Sequence, residues 1–395
     1  MITFPDFRFP PHNPPTRHAA KDSAMPLLRH VAFALLLGAL LVPAQASRAC
    51  TSFRLKTTDG DVFYARTMEY AQDLGSKVAI IPKGTSFVGT LPDGTSKGLP
   101  FTAKYGFVGM NALGINNLSD GMNEKGLVVG GLLFPGYAGY EPYSPDTAGN
   151  TIAQFEMVNW LLSQCATVAD VRRDIGKVRV CQGPTTLNGV TAGSLPLHFT
   201  VHDATGDSIV LEYMDGKVRI HDNPIGVLTN SPDFTWMLTF LSNTVNLSAV
   251  NVPALDLAGY VVRQTGQGSG MLGLPGDFTP PSRFVRMVAL TQSALPVTGP
   301  DAGLALAMTI IGNVDIPKGA VREKDAAETM FDVTQWVAVA DVARSRYYYH
   351  TDTDRNWHYV DVKQALAAAG SAIQTVPINV APAYPDATAT ATPYK

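Results

Sequence analysis

Between Val31 and Val42 the chain is apolar without a break; beyond Cys50 the pattern turns to alternation. The apolar run follows Arg29 and His30. It is too short for a membrane span, which needs roughly 20 apolar residues, and has the length of a signal-peptide core. Thr51-Ser52-Phe53-Arg54-Leu55-Lys56 alternates polar and apolar, which predicts a strand with one buried face. Thr58-Asp59-Gly60-Asp61 predicts a hairpin turn, and Val62-Phe63-Tyr64-Ala65-Arg66 the returning strand. A second hairpin is predicted at Asn123-Glu124-Lys125-Gly126, leading into a strand over Leu127–Leu132. Residues 151–175 read as helical, with Thr167 and Asp170 as a capping box before Val168–Ile175. Strands return at Leu197–His202, Ser208–Tyr213 and Lys217–Ile220, separated by turns at Thr205-Gly206 and Asp215-Gly216. Ala302–Ile311 predicts an apolar helix. Tyr347–His350 and Trp357–Val360 predict a last strand pair, Asp361–Ala369 a short helix, and the Ala/Thr/Pro tail 379–395 loose order. Strands, then helices, then strands, without βαβ alternation or internal repeat, predict an α+β fold built in layers.

Charge and cysteine count narrow the function. The formal net charge is −3, so there is no electrostatic case for binding nucleic acid. No other segment is long and apolar enough for stable membrane insertion. Three cysteines exclude a disulfide scaffold. Cys165 and Cys181 either pair in an oxidising compartment or pack separately in the core. Two cleavage signals follow the apolar run, Ala44-Gln45-Ala46 and Ser47-Arg48-Ala49. Residues 1–24 have no export character, so Met1 and Met25 both stand as candidate starts. The expected leader is 1–49, removed on export to a periplasm or to the outside. Arg48 argues against lipidation at Cys50.

Cleavage after Ala49 makes Cys50 the first residue. A cysteine at a chain start carries its own base, because the α-amino group titrates near neutrality and can take the thiol proton. One residue then supplies both nucleophile and base. Cleavage after Ala46 leaves Ser47-Arg48-Ala49 to be trimmed. Without trimming there is no free amine on Cys50, and a non-catalytic binding protein becomes the competing reading.

Five stretches, in order behind the leader, carry a resemblance: Cys50-Thr51-Ser52-Phe53; Ala65-Arg66-Thr67-Met68-Glu69; Gly121-Met122-Asn123-Glu124-Lys125-Gly126-Leu127; Leu228-Thr229-Asn230-Ser231-Pro232; and Leu274-Pro275-Gly276-Asp277-Phe278 running into Ser282-Arg283-Phe284-Val285-Arg286. The chain resembles the choloylglycine hydrolase family, the conjugated bile acid hydrolases and penicillin V acylases, among the N-terminal-nucleophile hydrolases. The resemblance implies a four-layer αββα sandwich over 50–365, a C-terminal tail over 366–395, and no cofactor. It allows a homotetramer. It implies Cys50 as nucleophile, Arg66 as the cation beside it, Asn230 as the oxyanion donor and Arg283 as a brace, with Arg286 the residue most easily confused with Arg283.

Two departures bear on substrate. The family's bile acid hydrolases commonly carry Asp where Glu69 stands; Glu keeps the carboxylate expected to hold the α-amine but adds a methylene. They commonly have Asn where Leu133 stands, and a leucine side chain cannot donate to an oxyanion. A second donor must then be a backbone N–H, such as that of Thr51 or Leu133, or another side chain. This shifts the expectation toward the Gram-negative branch, which resembles penicillin V acylases and enzymes acting on N-acyl homoserine lactones, with conjugated bile acid hydrolysis as the alternative. Met68, Tyr70, Phe134, Tyr137 and Tyr140 either line a pocket for an apolar acyl group or pack as core. Asn123 reads as a hairpin residue. Gly266-Gln267-Gly268-Ser269-Gly270 lacks the lysine and preceding strand of a phosphate loop. His198 and His202 share a strand face, but no carboxylate or cysteine joins them at metal spacing.

Overall fold

A computed structural model describes residues 49–391, apart from 185, 188–189, 192–193 and 325–328. Fourteen strands form its two main sheets: β1 Cys50–Lys56, β2 Val62–Glu69, β3 Lys77–Ile81, β4 Phe107–Asn111, β5 Leu118–Asn123, β6 Val128–Leu133, β7 Leu197–His202, β8 Ser208–Met214, β9 Lys217–Asp222, β10 Val227–Leu228, β11 Thr334–Asp341, β12 Arg346–Thr351, β13 His358–Asp361 and β14 Gln374–Pro377. The six-stranded sheet runs β10-β1-β2-β11-β12-β13, and the eight-stranded sheet runs β9-β8-β7-β6-β5-β4-β3-β14. All the pairings within them are antiparallel.

Alternation along the strands sorts side chains into layers. Val78, Val108, Met122 and Val128 of the large sheet pack in one core with Tyr64, Met68 and Ala338 of the small sheet. Their neighbours Ala79, Phe107 and Val129 turn the other way, onto the helices α1 Met157–Gln164 and α2 Val168–Asp174. The outer face of the small sheet is covered by α4 Pro280–Ser293 and α5 Pro300–Ile311, which follow the short α3 Phe234–Phe240. The result is the expected αββα sandwich. Every residue of β2 is buried, because this central strand has the second sheet on one side and helices on the other.

The predicted hairpins form for local reasons. Between β1 and β2, Thr57 N–H donates to Asp61 O, and Gly60 takes a φ of 99°. Between β5 and β6, Asn123 Oδ1 accepts from the N–H groups of Lys125 and Leu127, while its Nδ2 donates to the carbonyls of Leu162 and Cys165.

One expectation needs correction. Residues 151–175 are not continuously helical. Thr151–Ala153 is a strand paired in parallel with Arg179–Cys181, and a single 3-10 turn separates it from α1. Glu156 causes the break: its carboxylate accepts from Ala153 N–H and Thr90 N–H, fixing an extended entry to the helix. Of the two readings left open for the other cysteines, separate packing holds: Cys165 and Cys181 are both free and buried, with Cys181 opposite Ala153. Residue 365 lies inside α6 Val362–Ala369, and β14 extends the large sheet beyond it. No helix among the described residues is long and apolar enough to cross a membrane.

Candidate active site

β1 lies between β10 and β2, with Cys50 opposite Met68 and Ser52 opposite Arg66. Cys50, Arg66 and Met68 therefore share the face that looks toward the large sheet. Arg66 Nη2 points at Cys50 Sγ from 3.6 Å, and Met68 Sδ lies 3.9 Å from the same sulfur. A guanidinium at this distance favours negative charge on a neighbouring sulfur and cannot itself deprotonate.

Arg66 is fully buried and held on several sides. It donates to Ser119 O, lies 3.5 Å from Asp120 Oδ2 and sits over the Trp336 ring at 5.3 Å. Burial opposes its charge, but Cys50 and Asp120 outweigh that and hold it above its ordinary range. Asp120 accepts hydrogen bonds from the hydroxyls of Tyr64 and Tyr347. Burial pushes its carboxyl upward, against the pull of Arg66 and the two hydroxyls. This support requires Gly130, where a Cβ would stand 2.2 Å from the Tyr64 hydroxyl oxygen. Asp120 was not singled out in the sequence. The signal available was its position directly before the Gly121–Leu127 stretch.

Asn230 follows β10 and reaches Cys50 across 180 positions of sequence. Its Oδ1 accepts from Cys50 N–H at 2.8 Å and from Arg283 Nη2 at 2.8 Å. Two donors converging on one atom fix it as oxygen, so the amide nitrogen points the other way, to Leu133 O at 2.8 Å. One Nδ2 hydrogen is spent on Leu133, leaving one for a ligand. Arg283, in the first turn of α4, also donates to Cys50 O at 2.6 Å, to Thr51 Oγ1 and to Phe278 O. Burial pulls its guanidinium below its ordinary range, opposed by Glu69 and Cys50. Arg286 donates to the carbonyls of Pro275, Asp277 and Asn313 instead, so Arg283 is the arginine that meets the site.

Glu69 sits at the next odd position and so turns to the opposite face of β2, toward α4. There its Oε1 accepts from Thr334, and the Arg283 charge lies nearby. The partner of the Cys50 nitrogen is Asn230, not Glu69. Burial raises the Glu69 carboxyl to about 7, with Arg283 and Thr334 opposing the rise.

A cavity opens at Cys50, Arg66 and Met68 and runs between the sheets past Tyr70 and Leu133. Its further wall is apolar: Leu74, Leu113, Ile115, Phe155, Leu195 and Leu197. None of these six was identified from the sequence, because five lie in connections between the main strands and helices and only Leu197 opens a strand. Tyr70 and Leu133 line the cavity as expected; Phe134 and Tyr137 do not. Phe134 is fully buried and stacks on His198 at 4.3 Å, and the half-exposed Tyr137 stacks behind it at 5.5 Å. Tyr140 accepts from Leu197 N–H, a core contact. His198 bonds Glu212 and Thr229 while His202 bonds Thr200, and no group of three or more metal-ligating side chains occurs among the described residues.

Residues 50–370 match the choloylglycine hydrolase family of linear amide C–N hydrolases. The chain is 32% identical over 318 residues to a bile salt hydrolase/transferase of Clostridium perfringens, covering 80% of this chain and 93% of that one. It is 27% identical over 352 residues to penicillin V acylase of Pectobacterium atrosepticum, covering 84% and 85%. The crystal structure of a variant of conjugated bile acid hydrolase from Clostridium perfringens superposes with a TM-score of 0.74 at 29% identity, covering 85% of this chain and 99% of that one.

Proposed function

Because the chain belongs to the choloylglycine hydrolase family of linear amide C–N hydrolases, we propose that it is an N-terminal-cysteine amidase whose substrates are conjugated bile acids. The observation that carries the reading is the position of Cys50 Sγ, 3.6 Å from Arg66 at the polar end of an otherwise apolar cavity. An apolar acyl group lies along Leu113, Ile115 and Leu197, and its carbonyl carbon meets the sulfur.

Export and removal of residues 1–49 turn the Cys50 nitrogen into the α-amine. That nitrogen already faces Asn230 Oδ1. The amine takes the thiol proton, and the thiolate attacks the carbonyl carbon. The free Nδ2 hydrogen of Asn230 receives the oxyanion. The protonated amine then gives its proton to the leaving nitrogen, the C–N bond breaks, and water hydrolyses the thioester.

The choice of acyl group differs from the expectation drawn from Leu133. Identity is higher to the bile salt hydrolase/transferase than to the penicillin V acylase, and this supports the bile acid reading. The second reading, penicillin V or an N-acyl homoserine lactone, is favoured by Leu133 itself. It puts a methyl-bearing side chain in the cavity where the family's bile acid hydrolases commonly have Asn. The test is to give one purified preparation glycocholate, penicillin V and a long-chain acyl homoserine lactone. The highest kcat/KM on glycocholate upholds the proposal; the highest on either other amide replaces it. N-terminal sequencing of the exported protein accompanies the assay. A stable start at Ser47 in active enzyme overturns the self-supplied base.

A further inference from the structure

Behind the Asn230 segment lies a buried pair that the mechanism above does not use. His198 on β7 and Glu212 on β8 are both fully buried. Nδ1 of the imidazole is 3.2 Å from Glu212 Oε1, and Nε2 is 3.0 Å from the carbonyl oxygen of Thr229, the residue before Asn230. Both neighbours of the ring only accept, so the geometry calls for a proton on each nitrogen, an imidazolium paired with a carboxylate. Burial works against the Glu212 charge, but the His198 and His221 rings beside it outweigh that and hold the carboxyl down to about 2.

The pair grips the Asn230 segment at both ends. His198 holds Thr229 O, and Glu212 Oε1 also accepts from Phe234 N–H at 2.9 Å, four residues beyond Asn230. The other flat face of the segment's environment is fixed by the same ring. Phe134 stacks on His198 with 9° between planes, and its neighbour Leu133 supplies the carbonyl that orients Asn230 Nδ2. One imidazole thus meets the residue before Asn230 and the residue after Leu133, on both sides of the contact that directs the Asn230 amide.

We propose that His198 and Glu212 are positioning residues for the hydrolysis, a buried ion pair that keeps the Asn230 amide aimed at the oxyanion. This rests on the reading of Asn230 as oxyanion donor. Removal of either partner breaks a contact of the pair and frees one end of the segment. The charged group against His198 is Glu212; His221 on β9 reaches the same carboxylate at 3.4 Å, and Phe134 on the ring face is uncharged.

The test uses the mature enzyme and whichever of glycocholate and penicillin V it cleaves faster. His198→Gln is expected to lower kcat about tenfold or more, with KM within about twofold, because the oxyanion contact is made in the transition state. Combined with Asn230→Ala it should lower kcat no further than Asn230→Ala alone, since both act through one amide. Glu212→Gln should lower kcat in the same way, with KM within about twofold, because an uncharged amide holds the imidazole less firmly than a carboxylate. A parental kcat in His198→Gln, or additive losses in the double variant, overturns the pair's role. A parental kcat in Asn230→Ala overturns the oxyanion reading as well. If His198→Gln does not fold, as judged by circular dichroism, Glu212→Gln and Glu212→Asp decide. Glu212→Asp, which keeps the charge, should hold kcat within about threefold of the parent, and a parental kcat in Glu212→Gln overturns the proposal.

Discussion

Cys50 does chemistry only if its sulfur can carry charge inside a protein, and the residues around it are arranged for that. Arg66 supplies a fixed positive charge on one side, and Met68 a polarizable sulfur on the other. Cys50→Ser is expected to fold and to lose most activity, because a hydroxyl is far less acidic than a thiol; Cys50→Ala is expected to lose all of it. Thiol alkylation should inactivate in step with labelling of Cys50. Burial pushes the thiols of Cys165 and Cys181 up, to about 12 and about 11, which keeps them unreactive. Activity of the Ser variant within a few-fold of the parent would place the nucleophile elsewhere. Glu69 offers a separate test through stability. Its carboxyl stands at about 7 in the folded protein against an ordinary 4.5. The folded state therefore holds a proton that the unfolded chain has released. This contribution is complete below pH 4.5 and is lost as pH rises through 7, with an upper bound of about 3 kcal/mol. Glu69→Gln should flatten that part of the stability profile, measured by urea unfolding at pH 5 and pH 8; an unchanged difference between the two would contradict it.

At the scale of elements, the site depends on two neighbouring strands keeping register. β1 and β2 bring Cys50 to Met68 and Ser52 to Arg66, and a one-residue slip would turn Arg66 away from the sulfur. Both strands and the turn between them are readable from alternation and from Thr58-Asp59-Gly60-Asp61. The packing of β2 on β6 is not readable, because it depends on one missing side chain. Gly130 leaves room for the Tyr64 hydroxyl to reach Asp120, which braces Arg66. Gly130→Ala is expected to destabilise by about 1–3 kcal/mol, since the Tyr64 hydroxyl it would displace is fully buried and bonded to Asp120. It should also reduce kcat through Arg66. A variant as stable and as active as the parent would show that Tyr64 can relocate. Helix prediction over 151–175 failed at its start because the Glu156 carboxylate, inside the apolar pattern, bonds the backbone N–H groups of Ala153 and Thr90 and so holds the entry extended.

Over the whole molecule, one surface stands out. The short hairpin Leu255–Leu257 and Tyr260–Val262 projects with all six residues exposed, Leu255 at 59% and Tyr260 at 73%. Apolar surface of this kind is covered in most soluble proteins. If the homotetramer allowed by the resemblance forms through it, Leu255→Asp with Tyr260→Asp should shift the mass measured by light scattering toward the monomer. An unchanged mass would remove this hairpin from the interface.

The sequence by itself proposed the nucleophile and determined the local frame. A cysteine after an apolar run, followed by alternating strands and tight turns, is legible within a few tens of residues by spacing alone. The motifs then named Arg66, Asn230 and Arg283 by resemblance. Tertiary structure decided which atoms meet. Asn230 and Arg283 lie 180 and 233 positions from Cys50, and their hydrogen bonds exist only once the two sheets and α4 have packed. It also decided against neighbours in sequence. Glu69 stands one residue from Met68 yet faces the other layer, and Phe134 stands one residue from Leu133 yet leaves the cavity for His198. The pleat of a strand assigns alternate side chains to opposite layers, and only packing settles which layer holds the substrate.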